Sequence, residues 1–353
     1  MGKWGILVFN VGSSSIKYSL FEDSNLMESG NYERLETRED YEKSVKKIFK
    51  NLGNKKIDLI VHRVVHGGEL KKPSRINEEV KNKIKKFSEL APLHNPKQLI
   101  VIELCEHYKK PQYAVFDTFF FSDIPEVAKT YAIPREITEK YKIRRYGFHG
   151  LSHESVSRGL KGRTITCHLG SGASISAILN GKPIDTSMGF TTLEGLMMST
   201  RSGTLDPGII FFLEKRGHNT KELLTEKSGL KGICGYSDFR EIRARMKRNK
   251  ECKLAYEMFL YQIIKKIGSY VAVLNGLDNL VFTAKIGENV AKLREEVCNH
   301  LSFLGIQLDK RKNSLNSEII SSDKSNVKVY VRKTNEEKIA VEEILKIYKT
   351  KKP

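Results

Sequence analysis

No apolar run in this 353-residue chain approaches the roughly 20 residues needed to cross a bilayer. Its N-terminus offers only residues 6–9 as an apolar stretch, so neither a transmembrane helix nor a signal peptide is expected. Cysteine is sparse and scattered: Cys105, Cys167, Cys234, Cys252 and Cys298 form no CxxC pair, which argues against a zinc site and for reduced thiols in a cytoplasm. Acidic residues are outnumbered, 42 against 61 basic ones, for a net charge of +19. That balance is compatible with polyanionic partners. The cations, however, are spread along helical stretches such as 81–86 and 243–250 with no homeodomain, zinc-finger or RNP signature, so a nucleic-acid partner is not expected. What is left is a soluble cytoplasmic protein, with no membrane partner, long enough for about two domains.

The stretch 6–21, ILVFNVGSSSIKYSLF, sets two apolar runs around a polar corner, Asn10 to Ser15, and reads as a β-hairpin with a hydroxyl-lined tip. Strand alternation puts Ile16, Tyr18 and Leu20 on one side and Ser15, Lys17 and Ser19 on the other. A cation beside hydroxyls and turn amides suits phosphate; the alternative is a plain surface hairpin. GxxxxGK[ST] is missing, so an anion would rest over a hairpin rather than on a helix end. The pattern recurs at 164–185: an apolar strand, the corner Gly170-Ser171-Gly172, a returning strand, then Asn180-Gly181 as a hairpin turn. The recurrence points to two related α/β domains facing each other across a cleft, with boundaries expected at 1–120 plus 338–353 for the first and 121–337 for the second.

Between these landmarks, residues 37–52 read as an amphipathic helix with Thr37 as cap, Asp40 as its third residue and Gly53 beyond. The run 57–65 is a buried strand carrying Arg63, for which an internal ion pair and an anion site both stay open; the nearest acids in sequence, Asp58 and Glu69, lie at or beyond its ends. Residues 76–90 form a second helix, and Asn95-Pro96 starts a third with Asn95 as cap. Asp117 stands at a strand's C-terminal end, where α/β folds place ligand contacts. Residues 144–153, RRYGFHGLSH, are too charged for a core, and 185–207 are rich in Gly, Ser and Thr around Arg201. Strand 279–283 leads into Gly287 and a helix over 288–304. Thr334 and Glu337 read as a capping box, leaving Glu336 free for another role.

NVGSSSIK, HRVVHGGE, APLHNP, FDT, RRYGFHGLSH, HLGSG, DTSMGF with LEG, and TRSGTLDP occur in this order along nearly the whole chain. Together they resemble the acetate kinase family, within the actin and hexokinase superfamily of two-domain, ribonuclease H-like ATP-binding folds. The resemblance implies Mg²⁺-dependent (or Mn²⁺-dependent) transfer of the ATP γ-phosphoryl group to acetate, giving acetyl phosphate and ADP, by a homodimer. It assigns Asn10 and Glu336 to the metal, and Lys17, Ser13 and Ser15 to the nucleotide phosphates. His168, Leu169, Gly170, Ser171 and Gly172, Asp238, Phe239 and Arg240, and Lys285, Ile286, Gly287, Glu288 and Asn289 match nucleotide-contacting stretches. Arg63 matches the arginine that orients the substrate carboxylate, with Val65, Leu93, His94 and Phe148 around the acyl group. Asp117, His149 and Arg201 match catalytic positions. The acceptor is already ionised at pH 7, so Asp117 is expected to orient Arg201 or a metal-bound water rather than to take a proton from it, a base role in the reverse direction staying open. The segment between the first hairpin and Arg63 is short for the family. Three residues depart from its pattern: Lys285 stands where a glycine is usual, Thr192 where a proline is, and Phe121 where a histidine is. Propionate as acceptor, or a nucleotide-binding regulator without turnover, are the alternatives.

Overall fold

The computed structural model describes residues 3–12 and 14–350, side chains 349 and 350 excepted. Ser13, expected at the nucleotide phosphates, lies outside the described residues. The chain divides into two units, the first comprising Met1–Ser122, Phe148–Leu151 and Asn335–Pro353, the second Asp123–Gly147 and Ser152–Thr334. The boundaries therefore fall two and three residues from the positions expected, and the short segment bearing His149 goes with the first unit.

In the first unit, strands β1 (Gly5–Val11), β2 (Ser15–Glu22), β3 (Asn25–Glu33), β4 (Leu59–Val64), β5 (Ser74–Arg75) and β6 (Gln112–Phe116) form one sheet in the order β3-β2-β1-β4-β6-β5. β1 and β2 make the expected antiparallel hairpin, while β4 and β6 run parallel to β1. β1 reads as a continuous apolar run because both of its faces are covered. Leu7, Phe9 and Val11 pack with Tyr41, Val45 and Ile48 of helix Arg38–Leu52 and with Val101 and Cys105 of helix Asn95–Glu106. Ile6 and Val8 pack instead with Ile339, Val341 and Ile344 of helix Glu336–Thr350, which brings the end of the chain back to its beginning. β3 was not foreseen. Its sequence, NLMESGNYE, offers no apolar face, and it joins the sheet edge through backbone pairing with β2.

Helix Arg38–Leu52 has the capping box of Thr37 and Asp40 and ends on Gly53, as expected. Helix Asn95–Glu106 differs: His94 is its N-cap, and the Asn95 side chain is drawn inward to bond the backbone N–H and carbonyl of His66, at 3.0 Å each. Asn95 thus ties the loop carrying Leu93 and His94 to the end of β4.

In the second unit, β7 (Arg163–Leu169), β8 (Ala173–Leu179), β9 (Lys182–Thr186), β10 (Asn279–Thr283) and β11 (Lys328–Val331) lie in the order β11-β10-β7-β8-β9. Read from β9, this is the same antiparallel meander followed by two parallel strands that runs β3-β2-β1-β4-β6 in the first unit. The repeat seen in the Gly/Ser corners is therefore a repeat of topology. After β10 the expected helix over 288–304 is split: a short helix Ala284–Asn289 breaks at Val290, and Ala291–His300 follows. Among the described residues no helix is long and apolar enough to cross a membrane.

Candidate active site

Strand register brings several of the expected residues together in the first unit. Asn10 of β1 pairs with Arg63 of β4, and Arg63 pairs with Val115 of β6, so Asp117 just past β6 reaches the same sheet end. The Arg63 guanidinium forks onto Asp117, Nε donating to Oδ1 at 2.9 Å and Nη2 to Oδ2 at 2.7 Å. Nη1 donates to Asn10 Oδ1 at 2.9 Å and lies 2.7 Å from Glu336 Oε2. The Asn10 amide in turn donates to Glu336 at 3.2 Å and Glu337 at 3.0 Å, and Lys17 Nζ sits 2.9 Å from Glu337. Of the two readings open for Arg63, the internal ion pair is the one observed; its acids come from distant parts of the chain. One N–H of Nη2 is left without a partner among these contacts.

Burial raises the Glu336 carboxyl above its ordinary range despite the opposing Arg63 charge. Burial acts the same way on Glu337, but there the Lys17 and Asn10 partners more than offset it and hold the carboxyl low. Glu337 is thus part of this cluster, and the expected capping box is overturned. Asn335 caps the last helix by accepting from Lys338 N at 3.0 Å, while Thr334 Oγ1 is buried with no hydrogen bond. Lys17 and Asn10 compete successfully for the Glu337 carboxylate because they offer it a charge-assisted bond.

His149 has a left-handed backbone, φ +56°, strain that a non-glycine residue holds only where its surroundings enforce it. Gly150 beside it lies so close to Asp117 that a β-carbon there would sit 2.0 Å from the Asp117 carbonyl oxygen. Val65 and Phe148 are buried, and Phe148 meets the His66 ring edge-on. Leu93 is 43% exposed and His94 precedes the helix. Phe121, one of the departures, is buried against Phe120.

Arg201 lies in the second unit. Its Nη1 donates to the Thr192 carbonyl at 2.8 Å, and among the described residues no acid pairs with it. Desolvation pulls its guanidinium down to about 10. A partly buried cation without a counter-ion is unfavourable unless an anion completes it. Arg145, from the dense stretch 144–153, serves the fold instead. It donates to Glu194 at 2.7 Å and to the Thr186 and Met188 carbonyls, holding the loop before Arg201 in place.

A cavity of about 700 Å³ in the same unit takes Ser171, Asp238, Phe239, Arg240, Lys285, Ile286 and Asn289 of the expected set into its wall. It also takes Ser199, Thr200, Ser237 and Arg243, missed at the sequence level although Ser199 and Thr200 directly precede Arg201 in the Gly/Ser/Thr-rich segment. His168, Leu169, Gly170 and Gly172 form the strand end and corner behind Ser171 and, with Gly287 and Glu288, are not on the wall; His168 Nδ1 is 2.8 Å from Ser152 Oγ. A 2.6 Å bond from Arg240 pulls the Asp238 carboxyl down to about 2. Lys285 has ordinary helical dihedrals and is exposed; the left-handed residue is Ala284, φ +64°. The lysine therefore occupies the glycine position without backbone strain.

Residues 25–342 match the model of the Acetokinase family. The chain belongs to the acetokinase family. It is 46% identical to an acetate kinase of Thermotoga maritima, across 94% of this chain and 96% of that one. Among solved structures it is similar to an acetate kinase of Porphyromonas gingivalis (TM-score 0.85, 38% identity, 98% and 100% of the two chains). It is similar also to a propionate kinase of Francisella tularensis (TM-score 0.87, 38% identity, 97% and 99%). This acetokinase-family chain is accordingly a phosphotransferase with a carboxylate acceptor and has the actin/hexokinase-like fold expected of it.

Proposed function

We propose that this protein transfers the γ-phosphoryl group of ATP to acetate, with Mg²⁺, giving acetyl phosphate and ADP. The observation that carries the reading is Arg201, a partly buried guanidinium that lacks an acid partner among the described residues. In-line phosphoryl transfer needs little covalent help from the protein: charge grows on the equatorial oxygens and must be met by fixed donors. Arg201 and His149 are assigned to meet it. Arg63 meets the acceptor carboxylate through its remaining Nη2 N–H, while Asp117 holds the guanidinium plane in position, so Asp117 acts on Arg63 rather than on Arg201. Val65, Phe148, Leu93, His94 and Thr192 are assigned to the acyl group, Ser15 and Lys17 to the nucleotide phosphates, and the 700 Å³ cavity of the second unit to the nucleotide.

The residues fit a hard cation. Glu336 and Glu337 bring carboxylate oxygens and Asn10 an amide oxygen, which here accepts from Arg63 while the amide N–H groups face the two acids. That suits Mg²⁺, which keeps waters and takes its remaining ligands from phosphates. When bound, the ion screens the charge of the nucleotide phosphates. Because Asn10 donates to both acids, Glu336→Gln and Glu337→Gln should each raise the Mg²⁺ concentration needed for half-maximal rate; a Glu337→Gln enzyme indistinguishable from wild type would return that residue to a purely structural role.

Lys285 adds a cation to the nucleotide cavity, so Lys285→Gly should raise KM for ATP, with a defect that shrinks as salt screens the lost attraction. Tighter ATP binding in that variant would contradict the assignment. The protein acts in the cytoplasm, consistent with its five free thiols, and as a homodimer. Support for the dimer comes from helix Pro207–Glu214, PGIIFFLE, in which no side chain is buried: Ile209, Phe211 and Phe212 are 47%, 70% and 54% exposed. Light scattering should find a dimer for wild type and a monomer for Phe211→Asp/Phe212→Asp. ADP release with two- to four-carbon acids separates the readings: acetate should give the highest kcat/KM, propionate leading would move the protein to its rival, and no turnover with any acid would leave a regulator.

A further inference from the structure

Arg294 is the largest fully buried side chain among the described residues, 0% exposed, and no carboxylate there pairs with it. Its guanidinium is satisfied by amide oxygens alone. Nε donates to Asn313 Oδ1 at 2.8 Å, Nη1 to the Gly287 and Glu288 carbonyls at 2.8 and 2.9 Å, and Nη2 to the Asn313 carbonyl at 2.8 Å and Asn316 Oδ1 at 2.6 Å. Those bonds match the five N–H groups of an arginine. Asn313 is itself fixed by donating to the Ala291 carbonyl at 2.9 Å. A buried cation without an acid is unfavourable, and an apolar residue of similar volume would fill the space without that penalty.

What the arginine supplies is a tether. Gly287 and Glu288 lie in the last turn of the short helix Ala284–Asn289, whose end carbonyls have no partner within the helix and favour a cation. In that helix Ile286 and Gly287 are buried, while Lys285 and Asn289 are exposed. Lys285, Ile286 and Asn289 line the 700 Å³ cavity on one side, while Glu288 and Asn289 line a second cavity of about 750 Å³ with Leu315 and Asn316. Arg294 ties this short helix, which lies between the two cavities, to Asn313 and Asn316.

We propose that Arg294 is a positioning residue for the nucleotide, holding the helix that carries Lys285, Ile286 and Asn289 of the cavity wall against the segment from Asn313 to Asn316. The inference rests on the reading of the 700 Å³ cavity as the ATP site. Two variants test it: Arg294→Lys, which keeps the charge but cannot span the acceptors, and Asn316→Gly, which removes one acceptor while tolerating the left-handed backbone, φ +52°, found there. Misplacing the wall should raise KM for ATP roughly tenfold in Arg294→Lys and less in Asn316→Gly, the change carried by KM for ATP rather than by kcat or KM for the acid. Hydrogen exchange of residues 284–290 should accelerate in both variants, and saturating ADP should restore protection. Lower melting temperatures with unchanged KM for ATP, or unchanged exchange at 284–290, would overturn the proposal. Fluorescent ADP binding to wild type is measured alongside: if wild type binds none, the nucleotide reading of the cavity fails, whereas the exchange at 284–290 still decides whether Arg294 tethers the helix.

Discussion

Arg201→Ala is expected to lower kcat by about 10²–10³, the usual effect of deleting one donor aimed at transition-state charge, while the protein melts no earlier than wild type. The second half of that expectation separates function from structure. Arg201 bonds one carbonyl, that of Thr192, and faces no acid among the described residues, so removing it relieves desolvation and sacrifices little. A fall in melting temperature with kcat intact would show that the guanidinium serves the fold.

Arg63→Met should do the reverse first. Asp117 is 1% exposed and has Arg63 as its ionic partner, and Glu336 leans on the same guanidinium. Deleting one member of a buried ion pair typically costs about 3–5 kcal/mol, because the survivor stays charged in a poor solvent. Urea unfolding at pH 7 should show a loss of that order, and Asp117→Asn in the same chain should recover much of it. The pH dependence has a definite sign. Removing Arg63 takes away the charge that opposes burial at Glu336, so the carboxyl, already raised by burial, moves further above its unfolded value; the unfolded chain then releases its proton first as pH rises and the destabilisation grows with pH. The deficit should therefore shrink toward acid pH. A loss independent of pH would mean that packing, not charge, is what Arg63 contributes.

These two arginines show how far the sequence could be read. Both stood out, Arg63 because a charge sat in a strand otherwise apolar, and Arg201 because its segment was too polar for a core. Nothing in the local pattern distinguished the paired from the unpaired one, since the acids that meet Arg63 arrive through strand register and through the return of the last helix. The same gap explains Glu337. Its spacing from Thr334 has the form of a capping box, but Asn10 and Lys17, more than three hundred residues away in the chain, outcompete the backbone for its carboxylate. The hairpin and its repeat were legible because short apolar runs and Gly/Ser corners are local signals. β3 was not, because an edge strand held by backbone pairing needs no apolar alternation. Ser199, Thr200 and Ser237 reach the cavity wall by loop geometry, which periodicity does not encode, and Arg243 reaches it from helix Phe239–Arg245.

Trapping the product as its hydroxamate is the most direct test of the phosphoryl transfer proposed for this site. With ATP, Mg²⁺, hydroxylamine and acetate, the purified protein should form acetyl hydroxamate in proportion to ADP released, and Arg201→Ala should form it at least tenfold more slowly at saturating substrates. ADP release without hydroxamate, or no hydroxamate with acetate, propionate or butyrate, would contradict it.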